Sequence, residues 1–261
     1  MHLKFYKYQG TGNDFVIIDN LLGNVNLNQE QIAFLCNRKF GVGADGLMLL
    51  EKSNNYDFEM KYFNANGIIG SMCGNGGRCI VQFAHDIDLI HNHAMFLAYD
   101  GVHEANIVSN GVVALEMADV TVFSKIDDVT CELNTGSPHF VKFISDISEI
   151  NVSEDGKAIR YSKNYKQDGI NVNFVCVKNN TLHIRTYERG VEDETLSCGT
   201  GVTAAAISAV NLGLINLNSL PVIVHTQGGD LEVSFEFIEG NFTNVVLTGP
   251  ASKTFKGEIK L

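Results

Sequence analysis

Apolar and polar positions along the chain change over in short runs, most of them ended by Gly, Asn or Asp. LKFYKYQG (3–10), DFVIIDN (14–20), DGLMLLE (45–51) and DFEMKYFNANG (57–67) read as β-strands. GVVALEMADVTVF, CELNTG, INVNFVCV, TLHIRTYERG, LPVIVHTQGG, LEVSFEF and NVVLTG continue the style. Helical periodicity is clear in three places: NQEQIAFLCNRKF near residues 28–40, GRCIVQFAHDIDLI from residue 77, and GVTAAAISAVNLGLI from residue 201. No linker, low-complexity tract or long charged run divides the chain, and it holds only three prolines.

Two of the three helical runs begin alike. MCGNGGRC places Cys73 before Gly74, Asn75 and Gly76, and SCGTGV places Cys198 before Gly199, Thr200 and Gly201. The cysteines lie 125 positions apart (198 minus 73), close to half the chain. Each follows a strand with an aromatic and a polar pair near its end, YFNANG and YERGVEDE. Asn64 and Arg189 each stand nine positions ahead of their cysteine (73 minus 64; 198 minus 189). The pattern predicts an internal duplication, two halves that are each a β-rich layer wrapped on one long helix. A pseudo-twofold relation would bring the two helix N-termini to one junction, where ligand clefts are common.

A cysteine at a helix N-terminus sits among free backbone N–H groups and the positive end of the dipole, which favour its thiolate. The glycines let a ligand reach bare backbone, and the N–H groups can hold a carboxylate. Two such sites facing one another suit one reaction: taking a proton from one face of a carbon and returning it on the other. One cysteine serves as thiolate base and the other as thiol acid. The carbon would be α to a carboxylate, whose developing charge the cradle stabilises.

Composition narrows the field. At 261 residues and 45% apolar the chain can bury an ample core. The net charge of −11, with no Lys/Arg cluster, argues against nucleic acid or an anionic membrane as partner. The opening MHLKFYKYQG lacks the apolar stretch of a signal peptide, and no run of about 18 apolar residues occurs. The six cysteines are expected to be thiols in a cytoplasmic protein, and the sequons at Asn151 and Asn241 carry no meaning there.

Other chemistries compete. A single Cys-Gly near a helix start is ordinarily a small core residue; two matched copies half a chain apart weaken that reading. Cys36 and Cys79 fall in helical runs and Cys131 and Cys176 in strand runs, so they are expected in the core. Zinc ligands come in close pairs, but Cys73 and Cys79 are six apart, and His85, His91 and His93 have no cysteine beside them. No metal site is expected. GVGADG (41–46) satisfies G-x-G-x-x-G but follows a helix and precedes a strand, the reverse of a dinucleotide site; it reads as a tight helix-to-strand turn. No lysine sits in a context that argues for pyridoxal phosphate.

GTGNDFVIID, RKFGVGADG, FNANG, MCGNGGRC, TGSPHFV, GINVNFV and YERGVEDETLSCGTG, in that order over nearly the whole chain, resemble diaminopimelate epimerase, a racemase family that works without cofactor. The resemblance implies an α+β fold of two pseudo-symmetric halves. Each is a curved, mostly antiparallel sheet or barrel around a central helix, with the active site in the cleft between them. The last strand, about 253–261, would return to the first half, giving 1–119 with 253–261 and 120–252. The implied reaction interconverts LL- and meso-2,6-diaminopimelate, on the route to lysine and peptidoglycan, in a homodimer. Cys73 and Cys198 look like the acid/base pair. Gly74 with Asn75, and Gly199 with Thr200, look like the donors to the reacting carboxylate. Asn13, Asn64, Asn171, Glu188 and Arg189 match positions that hold the substrate, and His139 and Glu188 match positions that tune the cysteines.

Three features depart from the family pattern. Ser137 stands where Asn often precedes Pro-His, Gly46 stands where some members carry Gln, and the segment from Arg189 to Cys198 is one residue longer. Three rivals stay open. A proline-racemase-like relative would share the fold, but a small ring compound gives Glu188 and Arg189 no far end to grip. A hydrolase with Cys73 as nucleophile and His139 as base would not need the second Cys-Gly site. A non-enzymatic thiol or zinc-binding module would catalyse no exchange of solvent protons.

Overall fold

The computed structural model describes residues 2–70 and 72–261. The chain forms two compact units, 1–115 with 249–261, and 116–248. The divisions fall four residues ahead of the expected 119/120 and 252/253, inside continuous strands rather than in loops.

In the first unit β1 (His2–Gly10) and β2 (Asn13–Asn20) pair antiparallel. Helix α1 (Gln29–Cys36) leads to β3 (Gly46–Glu51), which lies parallel to β2, and β4 (Phe58–Asn64) returns antiparallel to β3. Helix α2 (Gly74–Asp86) crosses to β5 (His93–Ala98), parallel to β4. Strands β6 (Gly101–Ser109) and β7 (Val112–Glu116) follow as antiparallel hairpins.

The second unit repeats this order. After the short β8 (Phe123–Lys125), β9 (Thr130–Asn134) pairs antiparallel with β10 (Pro138–Phe143). Helix α3 (Val152–Arg160) leads to β11 (Asn171–Lys178), parallel to β10, and β12 (Thr181–Glu188) returns antiparallel. The short β13 (Asp193–Thr195) precedes α4 (Gly199–Asn211), which crosses to β14 (Val222–Thr226), parallel to β12. Strands β15 (Gly229–Ile238) and β16 (Asn241–Pro250) complete the series. The last strand, β17 (Ser252–Lys260), pairs with β1 of the first unit. Apart from the short β8 and β13 of the second unit and the returning β17 of the first, both units read β-β-α-β-β-α-β-β-β, an α+β fold of two like halves.

Each half has two helices with different work. Residues 74–84 of α2 are buried all round, and so is α4 from Val202 to Ala209. A helix buried on every face must be enclosed, and α4 packs on β9–β12, β14 and β15. The other two helices are amphipathic covers. Ile32 and Leu35 of α1 pack with Val16, Ile18, Leu47 and Leu49, and Val152 of α3 packs with Val172, Phe174 and Tyr187. Strands β2, β3 and β11 thus bury both faces, which is why they read as unbroken apolar runs.

Helix α3 was not expected from the apolar pattern. Its signals are at its ends: Asn151 caps Glu154 N–H at 3.3 Å, acids fill its first turn, and Lys157 and Arg160 its last. Gly156 sits mid-helix, where glycine costs about 1 kcal/mol relative to alanine. A Cβ there would lie 2.4 Å from Cβ of Tyr187, so packing on β12 requires it. Strands β5, β6, β10, β13 and β17 also lie outside the runs read as strands from apolar pattern. The turn at 41–46 has the expected form, with Val42 N–H bonded to Leu35 O and Gly43 at φ +81°.

Candidate active site

Cys73 is the N-cap of α2 and Cys198 that of α4, both with extended backbone. At an N-cap the next residues present N–H groups that the helix itself leaves unused. Gly74 and Asn75 therefore open one such turn, and Gly199 and Thr200 the other.

In the first unit the group around Cys73 is anchored by charge. Lys7, 5% exposed, reaches Asp14 at 2.6 Å and also bonds the Gly43 carbonyl. Arg38 clamps Asp14 through two bonds, 3.0 and 2.7 Å, and reaches Asp45 at 2.7 Å. Burial works against the Asp14 charge, but hydrogen bonds from Arg38 and Lys7 outweigh it and hold the carboxyl at about 2. Asp45 then accepts from Asn13 Nδ2 at 2.7 Å. With its amide nitrogen so engaged, Asn13 turns its carbonyl toward Cys73 Sγ and Asn75 Nδ2, each at 3.5 Å.

Beneath this turn lies Arg78, which is fully buried. It donates to Gly74 O at 3.2 Å, Asn75 Oδ1 at 2.9 Å and Thr11 Oγ1 at 3.5 Å. Its Nε has no hydrogen-bond partner among the described residues, and none of their carboxylates pairs with it. Burial lowers the guanidinium to about 10, so it stays a cation at neutral pH.

Asn64 ends β4 opposite Gly46, and its side chain bonds the Ile68 carbonyl at 3.5 Å. A Cβ on Gly46 would lie 2.5 Å from the Tyr62 ring. The glycine is thus a packing requirement here, and no longer side chain fits this backbone.

In the second unit the side chains next to Cys198 are hydroxyls and an imidazole. Cys198 Sγ lies 3.4 Å from Thr200 Oγ1, which is 2.9 Å from His139 Nε2 and 3.2 Å from Ser137 Oγ. Ser137 Oγ is also 2.9 Å from His139 Nε2 and accepts from Asn171 Nδ2 at 3.1 Å. Asn173 Nδ2 lies 3.0 Å from His139 Nδ1. Burial pushes His139 down to about 3, aided by the Arg189 charge, so the ring is neutral.

Asn171 Oδ1 accepts the Arg189 peptide N–H at 2.9 Å, and the Arg189 guanidinium donates to Asp168 O at 3.0 Å. Glu188 ends β12 and accepts from Thr195 at 2.9 Å. Since β4 ends on Asn64 and β12 on Glu188, Glu188 is the topological counterpart of Asn64. The second connection is then one residue longer (73 minus 64 is 9; 198 minus 188 is 10).

The structure thus joins Asn13, Cys73, Gly74 and Asn75 in one cluster, and His139, Asn171, Arg189, Cys198 and Thr200 in another. Sequence reasoning did not single out Arg78, Asp45, Asn173 or Ser137 as parts of these clusters. A charge inside an apolar helix and an amide inside an apolar strand were the signals available for Arg78 and Asn173. Cys36, Cys79, Cys131 and Cys176 are buried in their helices and strands. Among the described residues no group of three or more His, Cys, Asp or Glu is placed to hold a metal ion, and no helix is long and apolar enough to cross a membrane.

Residues 5–122 and 131–254 match the sequence profile of the diaminopimelate epimerase family. The chain is 49% identical over 259 residues to a diaminopimelate epimerase of Flavobacterium psychrophilum, covering 98% of this chain and 100% of that one. It is 41% identical to that of Chlorobaculum tepidum, covering 97% and 99%. Among solved structures it resembles a PhzF-family phenazine biosynthesis protein of Bacillus anthracis, with TM-score 0.76 and 14% identity over 100% of both chains. It also resembles a hydroxyproline epimerase of Agrobacterium vitis with bound trans-4-hydroxy-L-proline, with TM-score 0.68 and 13% identity over 100% of this chain and 93% of that one. At such identities these two likenesses concern the fold.

Proposed function

Because the chain belongs to the diaminopimelate epimerase family, we propose that it interconverts LL- and meso-2,6-diaminopimelate by removing and returning the proton at one α-carbon. The observation that carries the mechanism is the pair of cysteines, each the N-cap of the enclosed helix of its half.

In this reading one of Cys73 and Cys198 acts as thiolate base on one face of the carbon, and the other gives its thiol proton to the opposite face. The reacting carboxylate takes the free N–H groups of the two first turns, at Gly74 and Asn75 and at Gly199 and Thr200. Charge that develops on it in the carbanion is met by dipoles already in place, without reorganisation. The pinned Asn13 amide and the Asn171–Arg189 bond support this, since both fix polar groups before substrate arrives. Arg189 pairs the far carboxylate, and Glu188, Asn64 and Asn171 receive the far ammonium. His139 and Glu188 set the ionisation of the cysteines. Ser137, whose hydroxyl is occupied by Asn171, His139 and Thr200, supports the site from behind. On the family resemblance alone, the enzyme works without cofactor as a cytoplasmic homodimer.

The test is an isomerisation assay on LL-diaminopimelate in D2O, with L-proline and trans-4-hydroxy-L-proline in parallel. Deuterated meso-diaminopimelate, with no exchange into the ring amino acids, is expected. Exchange into proline alone would assign the chain a different substrate, and exchange into none would reject the reading.

A further inference from the structure

Asn173 lies in the middle of β11 and is fully buried. It faces α4 so closely that a Cβ on Gly201 would come within 2.4 Å of its Oδ1. Its amide has three partners. The nitrogen end is 3.0 Å from the Phe140 carbonyl oxygen and 3.0 Å from His139 Nδ1, and the oxygen end is 3.0 Å from the Thr186 hydroxyl.

These heavy-atom positions fix the hydrogens. A peptide carbonyl only accepts, so the end that faces Phe140 must be the NH2 group. The same NH2 then donates its other hydrogen to His139 Nδ1. Nδ1 therefore carries the lone pair, and the single ring proton of this neutral imidazole is on Nε2. Turning the amide over would set its oxygen against the Phe140 oxygen and leave buried groups unsatisfied. Protonating Nδ1 meets the same obstacle.

With its proton on Nε2, His139 donates to the hydroxyls of Thr200 and Ser137. Ser137 already accepts from Asn171. A Thr200 oxygen that receives the imidazole proton has its own proton free for Cys198 Sγ, 3.4 Å away. The donors then run in one direction, from Asn173 to His139, to Thr200, to the sulfur.

We propose that Asn173 is a positioning residue that locks His139 as its Nε2–H tautomer, so that the ring serves as a hydrogen-bond donor and the Thr200 hydroxyl is turned to stabilise the Cys198 thiolate. Only the last consequence rests on the role given to Cys198 above; the tautomer does not. A donor to the thiolate favours ionisation, whereas a ring that accepted the cysteine proton would need a lone pair on Nε2.

The full chain labelled with nitrogen-15 histidine decides the matter by multiple-bond nitrogen–proton spectra, free of any activity assay. The expected His139 pattern is pyridine-type Nδ1 and pyrrole-type Nε2, unchanged from about pH 6 to about pH 9. A pyrrole-type Nδ1 overturns the proposal. In Asn173→Ala, and in Asn173→Ser should the first variant not fold, the ring loses its fixed donor and its two signals move toward averaged values. Alkylation of Cys198 near neutral pH, read by peptide mapping, slows about ten-fold, while Cys73 in the same molecule keeps its rate. A folded variant with the unchanged ring pattern, or with an unchanged Cys198 rate, contradicts the lock. If the unsubstituted chain showed this pattern but no epimerisation, the proposed function would fail and the tautomer assignment would stand.

Discussion

The first turns of α2 and α4 share a backbone and differ in chemistry. Five residues after each cysteine a buried side chain reaches back to the carbonyl of the helix's first residue. In α2 it is Arg78 on Gly74 O at 3.2 Å, and in α4 it is Thr203 on Gly199 O at 3.1 Å. Two residues after each cysteine stands Asn75 in one and Thr200 in the other. By strand register the parallel pairs begin Phe15↔Gly46 and His139↔Asn171, so His139 occupies the place that Phe15 holds in the first half. One half supports its cysteine with a buried cation and a carbonyl, and the other with a neutral chain of hydroxyls and imidazole. A duplicated scaffold fixes where the two thiols go, while their supporting shells are free to diverge.

The largest expected effect breaks the pair itself. Cys73→Ala and Cys198→Ala each abolish isomerisation, because each direction needs one base and one acid. Serine at either place is a poor substitute, since its hydroxyl does not ionise near neutral pH. Near-normal turnover by either alanine variant in a chiral assay of product would mean that the halves are not a two-base pair.

The placing of each cysteine at the start of a helix was legible in the sequence because two spaced Cys-Gly motifs precede runs of helical period. The strands with buried faces were legible as short apolar runs ended by Gly, Asn or Asp, and the helix starts near 28 and at the cysteines were close. What was not legible was carried by tertiary packing. Gly156 in the middle of α3 interrupts its apolar pattern, and only its packing on the Tyr187 side chain explains it. Gly46 reads as a missing contact until the Tyr62 ring is seen beside it. Asn173 and Arg78 are polar residues in apolar elements, and their partners lie far off in sequence, at Phe140, Thr186 and Thr11.

In the proposed reading the partner of the far carboxylate comes from the second half, so the next variant tests that asymmetry. Arg189→Ala loses a charge-assisted pair of about 1.5–3 kcal/mol, which lowers kcat/KM by roughly ten-fold to 150-fold. The alkylation rate of Cys73 is unchanged. Steady-state kinetics with wild-type kcat/KM would remove Arg189 from the site.

A smaller effect sharpens the contrast between Arg78 and Thr203. Burying an ion without a carboxylate is costly, so Arg78→Met loses little stability while its kcat/KM falls about ten-fold. Thr203→Val gives the opposite balance: a loss of about 1 kcal/mol of stability and activity within a few-fold of normal, about 1 kcal/mol or less in barrier. Thermal melts and kinetics on both variants check it; equal profiles would mean that the buried cation has no special part.

The last effect is absent at neutral pH and appears only on acidification. His139 has a folded value of about 3 against an ordinary 6.5, lowered by burial. The unfolded chain binds the proton first as pH falls, so the contribution of His139 is full above 6.5 and is lost progressively toward about 3. His139→Gln therefore shows a shallower loss of stability over that window in denaturant titrations. Phe15, its counterpart, gives no such window when changed to Leu.

The most direct measurement of the central claim is the initial isotope distribution when LL-diaminopimelate is turned over in D2O. Two thiols on opposite faces predict that deuterium enters the meso product from the second cysteine, while recovered LL substrate keeps its proton in the first turnovers. Deuterium appearing at equal initial rates in recovered substrate and product would point to one base serving both faces, and would contradict the paired-cysteine account.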